Sequence, residues 1–313
     1  MKKVSIMIPA YNEELSIFSL YDKLIEIVNM HIQYEWEFMF VNDGSTDGTH
    51  DLLKEIRAKD NRVNFIDLSR NYGKEVAMLA GIDYVSGDCM IIMDADLQHP
   101  PEIIPEMLKY WEEGYDDIYA CRDCRKEATV LRRWTSKAFY KVLQKMTRIP
   151  IQINAGDFRL LDRCCINALR QLRESQRYTK GMYSWIGFKK KRVLFEASKR
   201  YAGETKWNHF RLLELAIEGL TSFTVLPLRM SSLIGVFISI FSFLYLIYVV
   251  IKAILLGDPV AGYPSLMAVM LLLGGVQLLS LGIIGEYLGR VFNETKNRPV
   301  YFIQSFNGKK IEQ

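Results

Sequence analysis

Ile91–Pro100 reads IIMDADLQHP. A short apolar run, Met90–Met93, leads into Asp94 and Asp96, then Gln98, His99 and two prolines. An apolar run closed by turn residues has the pattern of a buried strand. The carboxylates then stand where that strand ends, the edge at which open α/β sheets bind ligands. Two carboxylates and an amide oxygen are hard donors suited to Mg²⁺ or Mn²⁺. An Asp-rich turn after a core strand is the plainer reading of the same letters, and D-x-D alone does not separate the two.

Upstream, the pattern of strand and polar cluster repeats. Val4–Ile8 runs into PAYNE (Pro9–Glu13), Glu37–Val41 into NDGSTDG (Asn42–Gly48), and Val63–Leu68 is followed by RNYGK (Arg70–Lys74). Leu15–Met30, His50–Lys59 and Glu75–Val85 lie between and read as helices. Ser45, Thr46 or Asp47 is placed to cap the second of them. The order β-α-β-α-β-α-β predicts an α/β fold with a mostly parallel central sheet and helices on both faces. Loops are polar in general. Four polar clusters that all follow strands nevertheless point to one shared crevice.

No G-x-G-x-x-G follows the first strand, and no G-x-x-x-x-G-K-[ST] occurs. That argues against a dinucleotide oxidoreductase and a P-loop nucleotidase. Phosphates must then be met by a metal and by cations, for which Asp94, Asp96, Gln98, Lys74, Arg122, Arg200 and Lys206 are the candidates. Further on, Glu102–Glu113 reads as a helix, Asp117–Cys121 as a strand and Leu131–Thr147 as a long basic helix. In NAGDFR (Asn154–Arg159), Asp157 is either a turn cap or a crevice residue.

The chain has 313 residues, 50% of them hydrophobic, and a net charge of +4, too mild to indicate nucleic acid. The five cysteines fit a reducing compartment. Cys121 and Cys124 form a lone C-x-x-C, short of the ligands that zinc needs. The N-terminal run ends too early for a signal peptide and lacks a small-residue cleavage site. Hydrophobicity gathers late: Met230–Ile251 carries no charge, and residues 265–285 form a second such run before Glu286. Each run is about long enough to cross a bilayer, and the preceding residues 209–229 are amphipathic, suited to a membrane interface. Cations in the tail (Arg290, Lys296, Arg298, Lys309, Lys310) place both termini in the cytosol by the positive-inside rule. The expected layout is a cytosolic domain over 1–208, an interfacial helix over 209–229, a two-span hairpin over 230–288 and a cytosolic tail over 289–313.

Taken together, Pro9–Glu13, Asn42–Ser45, Asn71–Lys74, Asp94–Pro100, Asn154–Arg159 and Arg200–Trp207, in this order and with the terminal hairpin, resemble the bacterial polyprenyl-phosphate glycosyltransferases. These are relatives of dolichyl-phosphate mannose synthase among the family-2 glycosyltransferases. The resemblance spans nearly the whole chain. It implies a GT-A type fold and inverting transfer from a nucleotide-sugar to a polyprenyl phosphate at the cytoplasmic membrane, by a homo-oligomer. It also implies roles: Pro9, Tyr11, Glu13 and Asp43 on the nucleotide, with Lys74 and Asp94 beside the donor; Asp94, Asp96 and Gln98 on Mg²⁺ or Mn²⁺; Arg122, Arg200 and Lys206 on phosphates; and Asp157 with Asp96 at the reacting centre. UDP-glucose leads as donor, ahead of UDP-GlcNAc, other UDP-sugars and GDP-mannose. Two other readings are a processive polysaccharide synthase and a membrane-tethered nucleotide-binding subunit. The first is disfavoured because Arg133-Trp134 precedes Asp157 and only two spans exist. The second is disfavoured because the metal carboxylates are intact.

Overall fold

A computed structural model of the chain describes residues 1–122, 155–175, 177–195, 226–256 and 262–311. Strands β1 (Lys2–Ala10), β2 (Tyr34–Asn42), β3 (Val63–Leu68) and β4 (Cys89–Ile92) alternate with helices α1 (Ile17–Met30), α2 (Thr49–Lys59) and α3 (Lys74–Tyr84). A 3₁₀ turn (Pro101–Ile103) and α4 (Ile104–Glu112) lead to β5 (Asp117–Arg122). Then follow β6 (Ala155–Asp162), α5 (Arg163–Gln171), α6 (Thr179–Trp185) and β7 (Lys190–Phe195). Two long helices, α7 (Leu226–Leu256) and α8 (Tyr263–Thr295), precede β8 (Ile303–Phe306) and β9 (Lys309–Lys310).

The strands form one sheet in the order β7-β5-β6-β4-β1-β2-β3-β8-β9. Its centre, β3-β2-β1-β4, is parallel. β1 alternates Val4, Ile6 and Ile8 toward a core shared with Leu20 and Leu24 of α1 and Leu108 of α4. On the opposite face α3 packs so closely that a Cβ on Gly81 would lie 2.4 Å from Met7 Cγ. Burial on both faces is why these strands read as nearly continuous apolar runs.

The expectation of a mostly parallel sheet is corrected outside this centre. β6 runs antiparallel to both β4 and β5, and β8 antiparallel to both β3 and β9. Only β5 and β7 pair in parallel there. The physical reason is connectivity. The parallel centre is built from short helical crossovers, whereas β6 and β8 arrive after long excursions that impose no such direction. The antiparallel β6 is functionally important, because it brings its own first residues to the edge where the parallel strands end.

The chain divides into two compact units, the second of which contains α7 and α8. The segment from Pro299 onward belongs to the first unit, where β8 and β9 extend the sheet, so these residues are not a separate tail. α7 and α8 lie side by side, with Ser231 Oγ donating to Ser280 Oγ at 2.9 Å. They span 31 and 33 residues. Among the described residues one stretch, Leu272–Thr295 at mean hydropathy 1.4, is long and apolar enough to cross a membrane, and Leu233–Tyr245 is a shorter apolar piece. The expectation of two spans is therefore met by one such stretch, since several side chains along α7 lie outside the described residues. Leu278, Leu279 and Leu281 of α8 are more than half exposed, so this helix is not buried in the core of its own unit.

Candidate active site

The polar clusters do gather at the carboxyl ends of β1 to β4, and hydrogen bonds tie them together. Asn12 N–H donates to Ser45 Oγ (3.0 Å), and Thr46 N–H donates back to Asn12 Oδ1 (2.9 Å). Glu13 N–H donates to Thr49 Oγ1 (2.9 Å). The predicted cap on α2 is partly realised: Gly48 is the cap residue, and Asp47 Oδ1 accepts from Thr49 N–H at 3.1 Å. Gly44 stands at φ +66° with Arg70 C and Asn71 N only 2.5 and 2.6 Å from where a Cβ would be. Only glycine lets the loops after β2 and β3 approach this closely.

Asp43 is buried, and its two oxygens accept from the backbone N–H groups of Tyr72 (2.8 Å) and Gly73 (2.9 Å). Burial raises its carboxyl, and these amides and Arg70 oppose the rise. In this structure Asp43 thus anchors the loop before α3. Each oxygen keeps a second lone pair for a ligand. Pro9 is partly buried and Tyr11 is 46% exposed beside it, leaving an aromatic face open at the crevice rim.

The anchored loop delivers Lys74 as the first residue of α3. Its Nζ lies 2.6 Å from Asp94 Oδ1 and 2.8 Å from Asp157 Oδ2. Burial alone would lower the Lys74 ammonium, but the two carboxylates outweigh it and hold the group above its ordinary value. Burial would likewise raise Asp157, yet Lys74 holds that carboxyl below the usual range. Strand register explains the meeting: Ile92 pairs with Arg159 across β4 and β6. Continuing that pairing by two residues sets Asp94 opposite Asp157.

The turn after β4 is tight. Leu97 has φ +62°, and Asp96 Oδ1 accepts from Gln98 N–H at 3.1 Å. His99 Nδ1 accepts from Asp94 N–H at 3.1 Å, and its ring stacks on Phe158 at 4.8 Å. Burial lowers the His99 imidazolium, which agrees with an unprotonated Nδ1. Asp94 and Asp96 stay partly exposed on this turn with Gln98. The three side chains offer only hard oxygen donors besides the amide nitrogen, and Asp94 already carries a cationic neighbour in Lys74. This donor set fits Mg²⁺ or Mn²⁺.

Several site residues were not legible from sequence. Glu75 Oε2 accepts from both the N–H (3.1 Å) and the hydroxyl of Thr179, tying α3 to α6. Burial and the nearby Asp157 push the Glu75 carboxyl up to about 7. Arg159, buried behind Asp157, bridges to Asp117 and stacks over Tyr183 at 3.5 Å. Arg122 closes β5. Arg200 and Lys206 lie outside the described residues, as do the basic helix over 131–147 and the amphipathic stretch before Leu226. Among the described residues Asp116, Asp162 and Cys164 also approach one another, but Asp162 accepts from Trp111 Nε1 (2.7 Å) and Cys164 N–H (2.9 Å), and the Cys164 thiol is pushed up to about 12. That cluster is a hydrogen-bonded structural node, and its Cys164 is a protonated thiol.

Residues 5–169 match the model of Glycosyl transferase family 2, and residues 226–291 match that of the GtrB C-terminal hairpin. An uncharacterized glycosyltransferase of Synechocystis is 45% identical over 306 residues, covering 98% of this chain and 96% of its own. A putative glycosyltransferase of Bacillus subtilis is 43% identical over 305 residues, covering 97% and 92%. The bactoprenol glucosyl transferase of Shigella phage SfX is 41% identical over 303 residues, covering 97% and 99%.

Proposed function

We propose that this chain, which belongs to glycosyl transferase family 2, moves glucose from UDP-glucose onto a polyprenyl phosphate at the cytoplasmic face of the membrane. The observation that carries this reading is the convergence of Asp94 and Asp157 on Lys74 at a strand edge whose loops are tied into one crevice. The bactoprenol glucosyl transferase relatives, similar from end to end, support the lipid phosphate acceptor and the glucosyl group.

The reaction is a single displacement. A phosphate oxygen of the acceptor forms a bond to the anomeric carbon, and the bond from that carbon to the nucleoside diphosphate breaks, with the electron pair leaving on the diphosphate. One displacement inverts the anomeric centre. The acceptor is a phosphate monoester whose second pKa is about 6, so near neutral pH its nucleophilic oxygen carries no proton to remove. Asp157 suits this chemistry because Lys74 keeps it ionised, which makes it a poor base. It orients the reacting groups and faces the positive charge that develops on the sugar. Asp94, Asp96 and Gln98 would hold Mg²⁺ or Mn²⁺, which when bound would supply positive charge against the departing diphosphate. Tyr11, Glu13 and Asp43 line the nucleotide side, and Arg122, Arg200 and Lys206 serve the phosphates.

The second unit, with its apolar stretch Leu272–Thr295 and its match to the GtrB C-terminal hairpin, supports membrane attachment. β8 pairs with β3 in the sheet that also holds β1. The two helices between therefore leave and return on the same side of any bilayer they enter, which supports a hairpin with both ends cytosolic. The test is to incubate the full chain in membranes with polyprenyl phosphate and radiolabelled UDP-glucose, UDP-GlcNAc or GDP-mannose. Label in the lipid fraction from UDP-glucose is expected. Label from another donor alone moves the assignment to that sugar, and no label from any donor leaves a nucleotide-binding subunit and overturns the reading.

A further inference from the structure

Asn42, Asp67 and Ser305 sit in register on β2, β3 and β8, forming a row across the sheet just below the crevice. All three are buried. Asp67 Oδ1 accepts from Asn42 Nδ2 (2.8 Å) and lies 2.8 Å from His50 Nδ1 on α2, while Oδ2 accepts from Ser305 Oγ. The carboxylate cannot rotate without losing one of these partners. Because Asn42 spends its amide N–H₂ on Asp67, its Oδ1 must point the other way, where it accepts from Ser45 N–H at 3.1 Å. Ser45 Oγ in turn receives Asn12 N–H, and Asn12 stands in the left-handed region at φ +56°. A residue in that conformation depends on its neighbours to hold it.

We infer that β8, the strand that enters after the helical hairpin, is a working part of the donor site: Ser305 and Asp67 are positioning residues that hold the Asn42–Ser45 turn, and through it the Asn12 loop, in the shape that binds a nucleotide. The inference rests on the proposed function for what the loops bind, but the row of contacts stands without it. Ser305 touches no residue assigned to chemistry. Its hydroxyl orients Asp67, Asp67 sets the amide of Asn42, and Asn42 sets the turn. The return segment is secured separately, by Tyr301 OH donating to Asp83 Oδ2 (2.6 Å) and by Asn307 bonding both polar groups of the Phe65 backbone. Loss of the Ser305 hydroxyl therefore leaves the strand in place and removes the orienting contact.

The experiment uses the full chain in nanodiscs with Ser305→Ala and Ser305→Thr. Calorimetry reads UDP affinity, steady-state rates read KM for UDP-glucose and for polyprenyl phosphate separately, and hydrogen exchange reads residues 10–13 and 42–46 without ligand. Ser305→Ala is expected to weaken UDP binding roughly five- to tenfold, the scale of one ordinary hydrogen bond. The donor KM should rise, the acceptor KM should stay unchanged, and exchange in both loops should quicken. Ser305→Thr, which keeps the hydroxyl, should restore all three. If Ser305→Ala does not fold, Ser305→Cys gives the same readings with a weakly donating group of similar size. Unchanged loop exchange and unchanged UDP affinity would overturn the inference and leave β8 as cover for the β3 edge. If exchange quickens but the wild-type chain binds no UDP, the positioning stands and the proposed function falls.

Discussion

Asp94, just past the end of β4, and Asp157, on the antiparallel β6, share one ammonium nitrogen, that of Lys74. Two carboxylates at this separation repel unless a cation lies between them. Replacing Lys74 by Met should raise the pKa of Asp157 and lower kcat about a hundredfold, the scale of losing a preorganised charge partner. The acidic limb of the kcat/KM profile should move to higher pH in the variant. An unmoved limb would show that Lys74 does not hold Asp157 ionised.

Asp96 is the residue through which the metal assignment is best tested. Asp96→Ala should abolish transfer and also remove Mn²⁺ binding, read by the paramagnetic resonance of the added ion. Asp96 accepts from Gln98 N–H, so Asp96→Asn is the milder change that preserves the turn. Full activity of the wild-type chain after chelation would exclude a catalytic metal.

Glu75 gives a pH signature. Its folded value, about 7, lies above its ordinary value of 4.5. A carboxyl raised on folding stabilises the fold below its unfolded pKa and loses that contribution as pH rises through the folded one. Glu75→Gln, whose side-chain oxygen still accepts from Thr179, should therefore melt several degrees above wild type at pH 8 and close to it at pH 5. A variant that melts lower at pH 8 would mean the charged form is favoured after all.

His99 works in the opposite sense to Glu75. Burial depresses its pKa, so its contribution to the fold is present above the unfolded value of about 6.5 and is lost as pH falls below it. His99→Phe keeps a ring to stack on Phe158 but leaves Asp94 N–H without its acceptor, a cost of about 1–3 kcal/mol. Melting curves should show a gap between wild type and variant at pH 7.5 that narrows toward pH 5. A gap that widens in acid would contradict a neutral His99.

The parallel centre of the fold was open to a sequence reading because its signals are local. Cys89–Ile92 is an apolar run closed by turn residues, Val63–Leu68 is rich in apolar residues, and α1 repeats Ile17, Leu20, Leu24 and Val28 at helical spacing. What stayed hidden depends on partners distant in sequence. Asp157 looked like either a turn cap or a crevice residue, because nothing local says that Ala155–Asp162 pairs with β4. Lys74 was visible as a cation near phosphates, but its contacts with both Asp94 and Asp157 depend on α3 starting there. In the sequence, β8 lies within a charged tail. Its signal was present: Asn307-Gly308, with φ of 51° and 75°, is the turn expected of a two-residue hairpin loop.

The pairing of β8 with β3 also sets an order of events as the chain is made. β3 is complete within the first quarter of the sequence, yet its outer edge has no partner until everything up to Ile303 has been synthesised. An open strand edge is a template for wrong pairing. The nascent domain therefore carries that hazard for the whole time in which the apolar helices emerge and find their place. Chains halted between Arg298 and Ile303 should be the ones most prone to aggregate and to need a chaperone. β8 thus covers the β3 edge only in chains that have already produced their hairpin.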